Sequence, residues 1–311
     1  MVAPDARRRP GRLGVGIVGA GRVGSVLGAA LRAAGHAVVG VSAVSEASRE
    51  RAENLLSGVP VLEVPDIIER SELVLLTVPD DALPTLVEGL AHLGAWQAGQ
   101  LVVHTSGRYG TSVLEPARAA GAIPLAIHPA MTFTGMSLDL GRLPDSMFGI
   151  TAAAAVLPIA QALVVEMGAE PVVIEEESRA LYHAALAHAS NHLVTIAAQS
   201  AQILADLGVE HPDRMLGPLM KASLENALSS GESALTGPVA RGDAGTVRAH
   251  RAALDAHDSP DTRQAYLGMA RSTALRALQR GLLSPDQGDA ILTALADIVP
   301  GPTAGPAADG S

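Results

Sequence analysis

The residues best suited to chemistry fall in four places. The first is Gly19-Ala20-Gly21-Arg22-Val23-Gly24, a G-x-G-x-x-G run. Its first glycine permits a tight turn, its second lets a pyrophosphate approach the backbone, and its third lets a helix lie close on a strand. Phosphates would then meet the unpaired N–H groups and the positive dipole end of that helix. The second is His128-Pro129, where an imidazole can exchange a proton while hydride moves at a carbonyl or imine carbon. The third is "YHAALAHASNHL", Tyr182 to Leu193, in which His188 and His192 share one helical face and Asn191 nearly shares it. Asn191 is a candidate to orient a substrate oxygen or nitrogen, and His192 a candidate proton carrier. The same groups would serve equally as hydrogen bonds between buried helices. No carboxylate completes a ligand set with His188 and His192, so no metal is expected. The fourth is "LTGPVARGD", Leu235 to Asp243. Gly237, Pro238 and Gly242 shape a turn there and Asp243 suits a helix cap, which leaves Thr236 and Arg241 for a carboxylate or for plain turn chemistry.

These groups need elements to hold them. Leu13 to Val18 reads as a buried strand, Ser25 to Ala34 as a helix stopped by Gly35, and Ala37 to Val41 as a second strand. Together they make the βαβ unit that gives the glycine run its meaning. No carboxylate stands at the tip of the second strand to take ribose hydroxyls. Ser42 and Ser45 stand there instead, with Arg49 and Arg51 nearby, so NADP is expected over NAD. Ser45 would also cap a helix from Glu46 to Leu56. "VPVLE" predicts a short third strand, and Leu73 to Val78 a fourth. Val78, Pro79, Asp80 and Asp81 would then face the cofactor, with Asp81 capping a helix from Ala82. A fifth strand ends at His104, which puts Thr105, Ser106 and Gly107 on the same edge. His128 ends a sixth, and "SMFGITA" and "EPVVIEE" add two more around a helix from Leu157 to Met167. Such alternation predicts an α/β fold, a doubly wound and mostly parallel Rossmann sheet.

The pattern changes near Glu175. No Gly or Pro occurs from Ser178 to Leu207, which predicts one helix of about 30 residues, roughly 45 Å long. Further helices are expected over Pro212–Ser229, Ala244–Ala256, Pro260–Arg280 and Pro285–Val299. The expected plan is a disordered arm (1–12), a dinucleotide-binding domain (13–176), an all-helical C-terminal domain (177–299) and a disordered tail (300–311).

Composition narrows the function. The chain is 48% hydrophobic but 2% aromatic, so its core must be Ala, Leu and Val. A net charge of −10, with no basic cluster past the first dozen residues, argues against nucleic-acid binding. Zero cysteines exclude disulfides, thiolate metal sites and a cysteine nucleophile. No apolar stretch approaches the ~20 residues of a transmembrane helix, so no membrane role is expected and a cytoplasmic protein is.

The glycine run, "VPDDAL", "HTSG", "HPAMTF", "YHAALAHASNHL" and "LTGPVARGD" together resemble a family that joins a Rossmann-type NADP-binding domain to a helical C-terminal domain of unknown function. That family is related to pyrroline-carboxylate reductase, ketopantoate reductase, hydroxyisobutyrate dehydrogenase and prephenate dehydrogenase. The resemblance implies NADP(H) and a homodimer through the C-terminal helices. Some of these relatives carry a catalytic lysine one turn before an asparagine on the helix entering the second domain. Here Ala187 stands one turn before Asn191, and the single lysine, Lys221, lies too far along. Ser190-Asn191-His192-Leu193 is similar to the Ser-His-Leu of prephenate dehydrogenase with one residue inserted. The leading expectation is an NADP-dependent oxidoreductase acting on a small keto acid, hydroxy acid or cyclic imine, with His128, Asn191 and His192 at the reacting centre and Arg241 on a carboxylate. A non-catalytic NADP-binding regulator and a deazaflavin-linked reductase are the alternatives; the few aromatics count against a stacking site for a deazaflavin.

Overall fold

The computed structural model describes residues 12–296, so the expected arm before Arg12 and the tail at 300–311 lie outside the described residues. Small and β-branched runs alternate with helices in the order β1 (Gly14–Val18), α1 (Arg22–Ala33), β2 (Ala37–Ser42), α2 (Glu46–Leu55), α3 (Val64–Glu69), β3 (Leu73–Leu76), α4 (Leu83–His92), β4 (Leu101–His104), α5 (Glu115–Ala119), β5 (Ile123–Pro129), β6 (Met147–Thr151), α6 (Leu157–Glu166) and β7 (Glu170–Val173). The strands make one seven-stranded sheet in the order β2-β1-β3-β4-β5-β6-β7. Pairing is parallel from β2 through β5 and between β6 and β7, while β6 runs antiparallel to β5.

Side chains alternate across this sheet. Ile17, Leu73, Leu75, Val103 and Leu125 pack on one face, and Val18, Val74, Leu76 and Val102 on the other with Ile67, Val87 and Trp96. Both faces are buried, as a parallel sheet requires. Each fully buried Leu or Ile contributes about 1.5–3 kcal/mol. Val18, Leu76, His104 and Ala126 stand in one row across β1, β3, β4 and β5. The glycine run, Thr77, Thr105 to Gly107 and His128 therefore share the carboxyl-end edge, where ligands of such sheets bind.

Three local expectations are corrected. "VPVLE" forms no strand: it makes one bridge, Val41 to Val61, with hydrogen bonds from Val41 N to Pro60 O and from Leu62 N to Val41 O. Pro60 has no N–H to extend the pairing, and α3 begins at Val64. The strand expected to reach Val78 ends at Leu76, because Thr77 turns to bind the glycine loop. Asp81 caps nothing: Ala82 is the N-cap of α4, which has no side-chain cap.

The rest of the chain is helical, with α7 (Arg179–Asp206), α8 (Pro212–Ser230), α9 (Gly237–Ala240), α10 (Ala244–Ala256), α11 (Pro260–Gln279) and α12 (Pro285–Leu295). The chain divides into two compact units inside α7, between His192 and Leu193. Val239, Val247, Leu267, Ala274 and Ile291 form the core of the second unit. Pro212, Pro260 and Pro285 open their helices, where a missing N–H costs nothing. Asp243 accepts from Thr246 N at 3.0 Å and caps α10. In contrast, α8 has no buried residue. Among the described residues, no helix is long and apolar enough to cross a membrane.

Candidate functional site

At the head of α1 the chain leaves β1 through Gly19, whose φ of 104° suits glycine. Gly19 N donates to Ser42 Oγ at 2.9 Å, and Thr77 Oγ1 donates to Gly19 O at 2.6 Å. The turn is thus pinned from both neighbouring strands. A Cβ on Gly24 would stand 2.1 Å from Gly19 O, so only glycine lets the helix close on the turn. Gly21 differs: a Cβ there would meet nothing nearer than Thr77 O at 4.0 Å. Its bareness leaves open space over the helix start. Gly21 is the N-cap of α1, and no side chain caps the helix. The first-turn N–H groups, from Arg22 and Val23 onward, have no partner within the helix and can receive a diphosphate. This is the fit a dinucleotide needs.

Basic groups gather where β2 ends. Arg49 Nε reaches Ala43 O at 3.4 Å, and Arg51 carries a buried Nε without a hydrogen-bond partner. A Cβ on Gly135 would touch both Arg51 Cδ, at 2.8 Å, and Arg22 Cγ, at 3.1 Å, so these two side chains converge. Ser42 is committed to the glycine turn, and Ser45 caps α2 by accepting from Ser48 N at 3.2 Å. Val78 and Pro79 continue from Thr77, and Pro79 O accepts from Ala82 N and Leu83 N. Asp80 precedes Asp81, which is exposed and 3.8 Å from Arg108.

At the ends of β4 and β5 lies a polar cluster. His104 is fully buried; its Nε2 is 2.7 Å from Gly110 O and its Nδ1 accepts from Ser106 N at 3.2 Å. Both ring nitrogens are satisfied in the neutral form, and burial lowers its pKa to about 4. His128 is hydrogen-bonded to Tyr182 Oη through Nδ1 at 2.9 Å, and its ring meets His183 edge-on. Burial, and then the charges of His183, Arg179 and His104, lower the His128 pKa to about 4 as well. Gly107 closes the cluster: a Cβ there would lie 3.0 Å from His128 Nε2 and 2.6 Å from His183 Cδ2. Arg179, 1% exposed, ties the start of α7 to the sheet through Thr151 Oγ1 at 2.8 Å and Ala126 O at 3.1 Å. Glu176 accepts from Thr111 N at 2.7 Å and Ser112 N at 3.0 Å. Burial raises its pKa, but these hydrogen bonds outweigh that and hold the carboxyl below its usual range.

The other expected site residues lie on α7 and in the second unit. Asn191 and His192 are exposed on α7, where His188 Nδ1 and His192 Nδ1 are 2.8 Å apart. In the second unit, Arg241 is exposed and reaches Thr236 Oγ1 at 3.5 Å. Among the described residues no cluster of His, Asp and Glu is arranged to hold a metal. Sequence reasoning missed the roles of Thr77, Arg179 and Tyr182. Tyr182-His183 lies in the quoted α7 motif, but only the fold brings it against His128.

A glycine turn on a doubly wound sheet, with histidines at the same edge, defines a Rossmann-like nucleotide-binding protein. Residues 1–129 match the Rossmann-like domain, and residues 146–273 match the domain of unknown function DUF2520. The chain thus joins a Rossmann-like domain to a DUF2520 domain. No curated protein matches the sequence. Protein TM1727 from Thermotoga maritima is 25% identical, with a TM-score of 0.65 over 86% of this chain and 99% of that one. Protein BF3122 from Bacteroides fragilis, provisionally named an NADP oxidoreductase, is 23% identical, with a TM-score of 0.69 over 84% of this chain and 98% of that one. An imine reductase variant from Myxococcus stipitatus, solved with NAD+, is 18% identical, with a TM-score of 0.58 over 92% of this chain and 99% of that one.

Proposed function

We propose that this protein is an oxidoreductase that uses a nicotinamide dinucleotide, NADP(H) in preference to NAD(H), on a small keto acid, hydroxy acid or cyclic imine. Ketopantoate-like and pyrroline-carboxylate-like compounds are the first to try. The observation that carries this reading is the uncapped, sterically open Gly21 turn on the same sheet edge as Gly107 and His128. The fold shared with an imine reductase and with a provisionally named NADP oxidoreductase supports it. A bound dinucleotide supplies or accepts hydride. The chain's own groups hold the diphosphate with main-chain N–H, and His128 meets the substrate's oxygen or nitrogen. Asn191 and His192 are proposed to orient the substrate and exchange its proton, and Arg241 to pair with a carboxylate. Purified protein would be incubated with NADPH and a panel of keto acids and cyclic imines, with absorbance followed at the reduced nicotinamide band. Oxidation with one class of substrate is expected; binding without turnover of any member favours a non-catalytic NADP-binding regulator.

The preference for NADP rests on Arg22, Arg49 and Arg51. Charge-assisted hydrogen bonds are worth about 1.5–3 kcal/mol each. With one such bond to the ribose phosphate lost, Arg49→Ala with Arg51→Ala should weaken NADPH about 10- to 100-fold and leave NADH within a few-fold, read by calorimetric titration. Equal loss for both nucleotides contradicts this assignment.

A second copy of this chain is proposed as the partner. Met215, Leu219, Leu224 and Leu228 on α8 and Leu193 and Val194 on α7 are exposed, and large apolar side chains left in water in such number mark a protein–protein contact. Light scattering should give twice the chain mass, and Leu219→Glu with Leu228→Glu should give the single-chain mass with helicity retained. A monomeric wild type ends this proposal.

A further inference from the structure

His128 has two ring nitrogens with different surroundings. Nδ1 is 2.9 Å from Tyr182 Oη, and Nε2 faces the bare backbone of Gly107, where a Cβ would come to 3.0 Å. Which nitrogen carries the proton depends on the direction of the Tyr182 bond. The hydroxyl also lies directly on β6: a Cβ on Gly149 would be 2.6 Å from Oη. Gly149 is the ladder partner of His128. Nδ1 is the hydroxyl's one hydrogen-bond partner among the described residues, and so the one place for its proton. The reverse arrangement, with Nδ1–H donating to Oη, would leave a half-buried O–H proton without a protein acceptor, which costs about 1–3 kcal/mol.

We propose that Tyr182 is a positioning residue whose hydroxyl donates to Nδ1 of His128, holding that imidazole as the Nε2–H tautomer, a neutral hydrogen-bond donor presented past Gly107 to the substrate's oxygen or nitrogen. This rests on the placement of His128 at the reacting centre. Its chemical consequence is specific. His128 polarises the bond under reduction and stabilises the charge that develops there, while the proton itself comes from another group. A neutral histidine is the better fit to this spot, because His183, Arg179 and His104 already surround it with positive or potentially positive groups. Gly107 is part of the same device, since a side chain there would fill the space in front of Nε2. Arg179 holds the first turn of α7 on the sheet and thereby sets where Tyr182 can reach.

The test is a long-range 1H–15N correlation spectrum of the full chain labelled with 15N-histidine, at pH 7.5, with His128→Asn used to assign the signals. The expected wild-type His128 shows an unprotonated-type Nδ1 and a protonated-type Nε2 resonance. Tyr182→Phe should convert this single tautomer into a mixture, visible as both nitrogens moving toward intermediate shifts. Replacing the three tyrosines with 3-fluorotyrosine keeps the shape of the site and makes the hydroxyl a stronger donor, so Nδ1 should move toward the protonated-type range. This second arm decides the matter if Tyr182→Phe does not fold. An Nδ1–H tautomer in the wild type, an unchanged tautomer in Tyr182→Phe, or a fluorotyrosine shift in the opposite direction overturns the proposal. Failure of NADPH to bind, with the tautomer and its dependence on Tyr182 intact, removes the oxidoreductase reading and leaves the Tyr182 assignment standing.

Discussion

Gly21→Val should fold as the wild type does and lose NADPH affinity by about 100-fold or more. The backbone at Gly21 is extended, with φ −72° and ψ −170°, which valine adopts without strain. Its Cβ would find the nearest atom at 4.0 Å, so nothing in the protein resists it. Valine is a poor N-cap, and stability should fall by no more than about 1 kcal/mol. The methyl groups would occupy the space through which a diphosphate reaches the first-turn N–H groups. Losing two charge-assisted hydrogen bonds, at about 1.5–3 kcal/mol each, predicts a loss of two or more orders of magnitude. Gly24→Val is the contrasting case. Its Cβ would stand 2.1 Å from Gly19 O and 2.2 Å from Thr77 Oγ1, so the turn itself must move. Overpacking of this kind costs about 1–3 kcal/mol, and thermal unfolding should show it before any ligand is added. Equal NADPH affinity for Gly21→Val and wild type, by calorimetry, would mean that the diphosphate lies elsewhere.

The second large effect is loss of stability in mild acid. His104 is neutral in the fold, with its pKa lowered to about 4 chiefly by burial. Its Nε2 serves Gly110 O, and its Nδ1 lone pair receives Ser106 N–H, so a second ring proton would have to displace that bond. In the unfolded chain the same residue titrates near 6.5. Above that pH neither state takes a proton and the contribution is complete. Between about 6.5 and 4 the unfolded state binds a proton that the folded state refuses, so stability falls as pH falls. The slope is about 1.4 kcal/mol per pH unit, and the total for His104 is on the order of 3 kcal/mol. His128 acts in the same direction, with its pKa also lowered to about 4. Glu176, held low by the N–H groups of Thr111 and Ser112, contributes above the usual carboxylate range and is lost only at lower pH. Urea unfolding at a series of pH values should therefore show a decline beginning near pH 6.5, and His104→Asn should flatten part of it. Constant stability from pH 7 to 5 would contradict the buried neutral pair.

Much of this could be read from the chain because its cause is local. The positive φ of Gly19 and the close approach of Gly24 to Gly19 O arise within six residues, and Pro212, Pro260 and Pro285 mark helix starts by their own chemistry. Other features depend on distant partners. Arg179 meets Ala126 across 53 positions, and Tyr182 meets His128 across 54, so no spacing rule connects them. Asp81 has the right type for a cap, but the turn closes on Pro79 O and starts the helix at Leu83. "VPVLE" has strand composition, yet Pro60 and the nearby start of α3 leave room for a single bridge.

The most direct measurement is a crystal structure of the full chain grown with saturating NADPH. The diphosphate should lie within hydrogen-bond distance of Arg22 N and Val23 N, the ribose phosphate against Arg49 or Arg51, and the nicotinamide beside Gly107 and His128. A dinucleotide bound away from the Gly21 turn, or none bound at saturation, would contradict it.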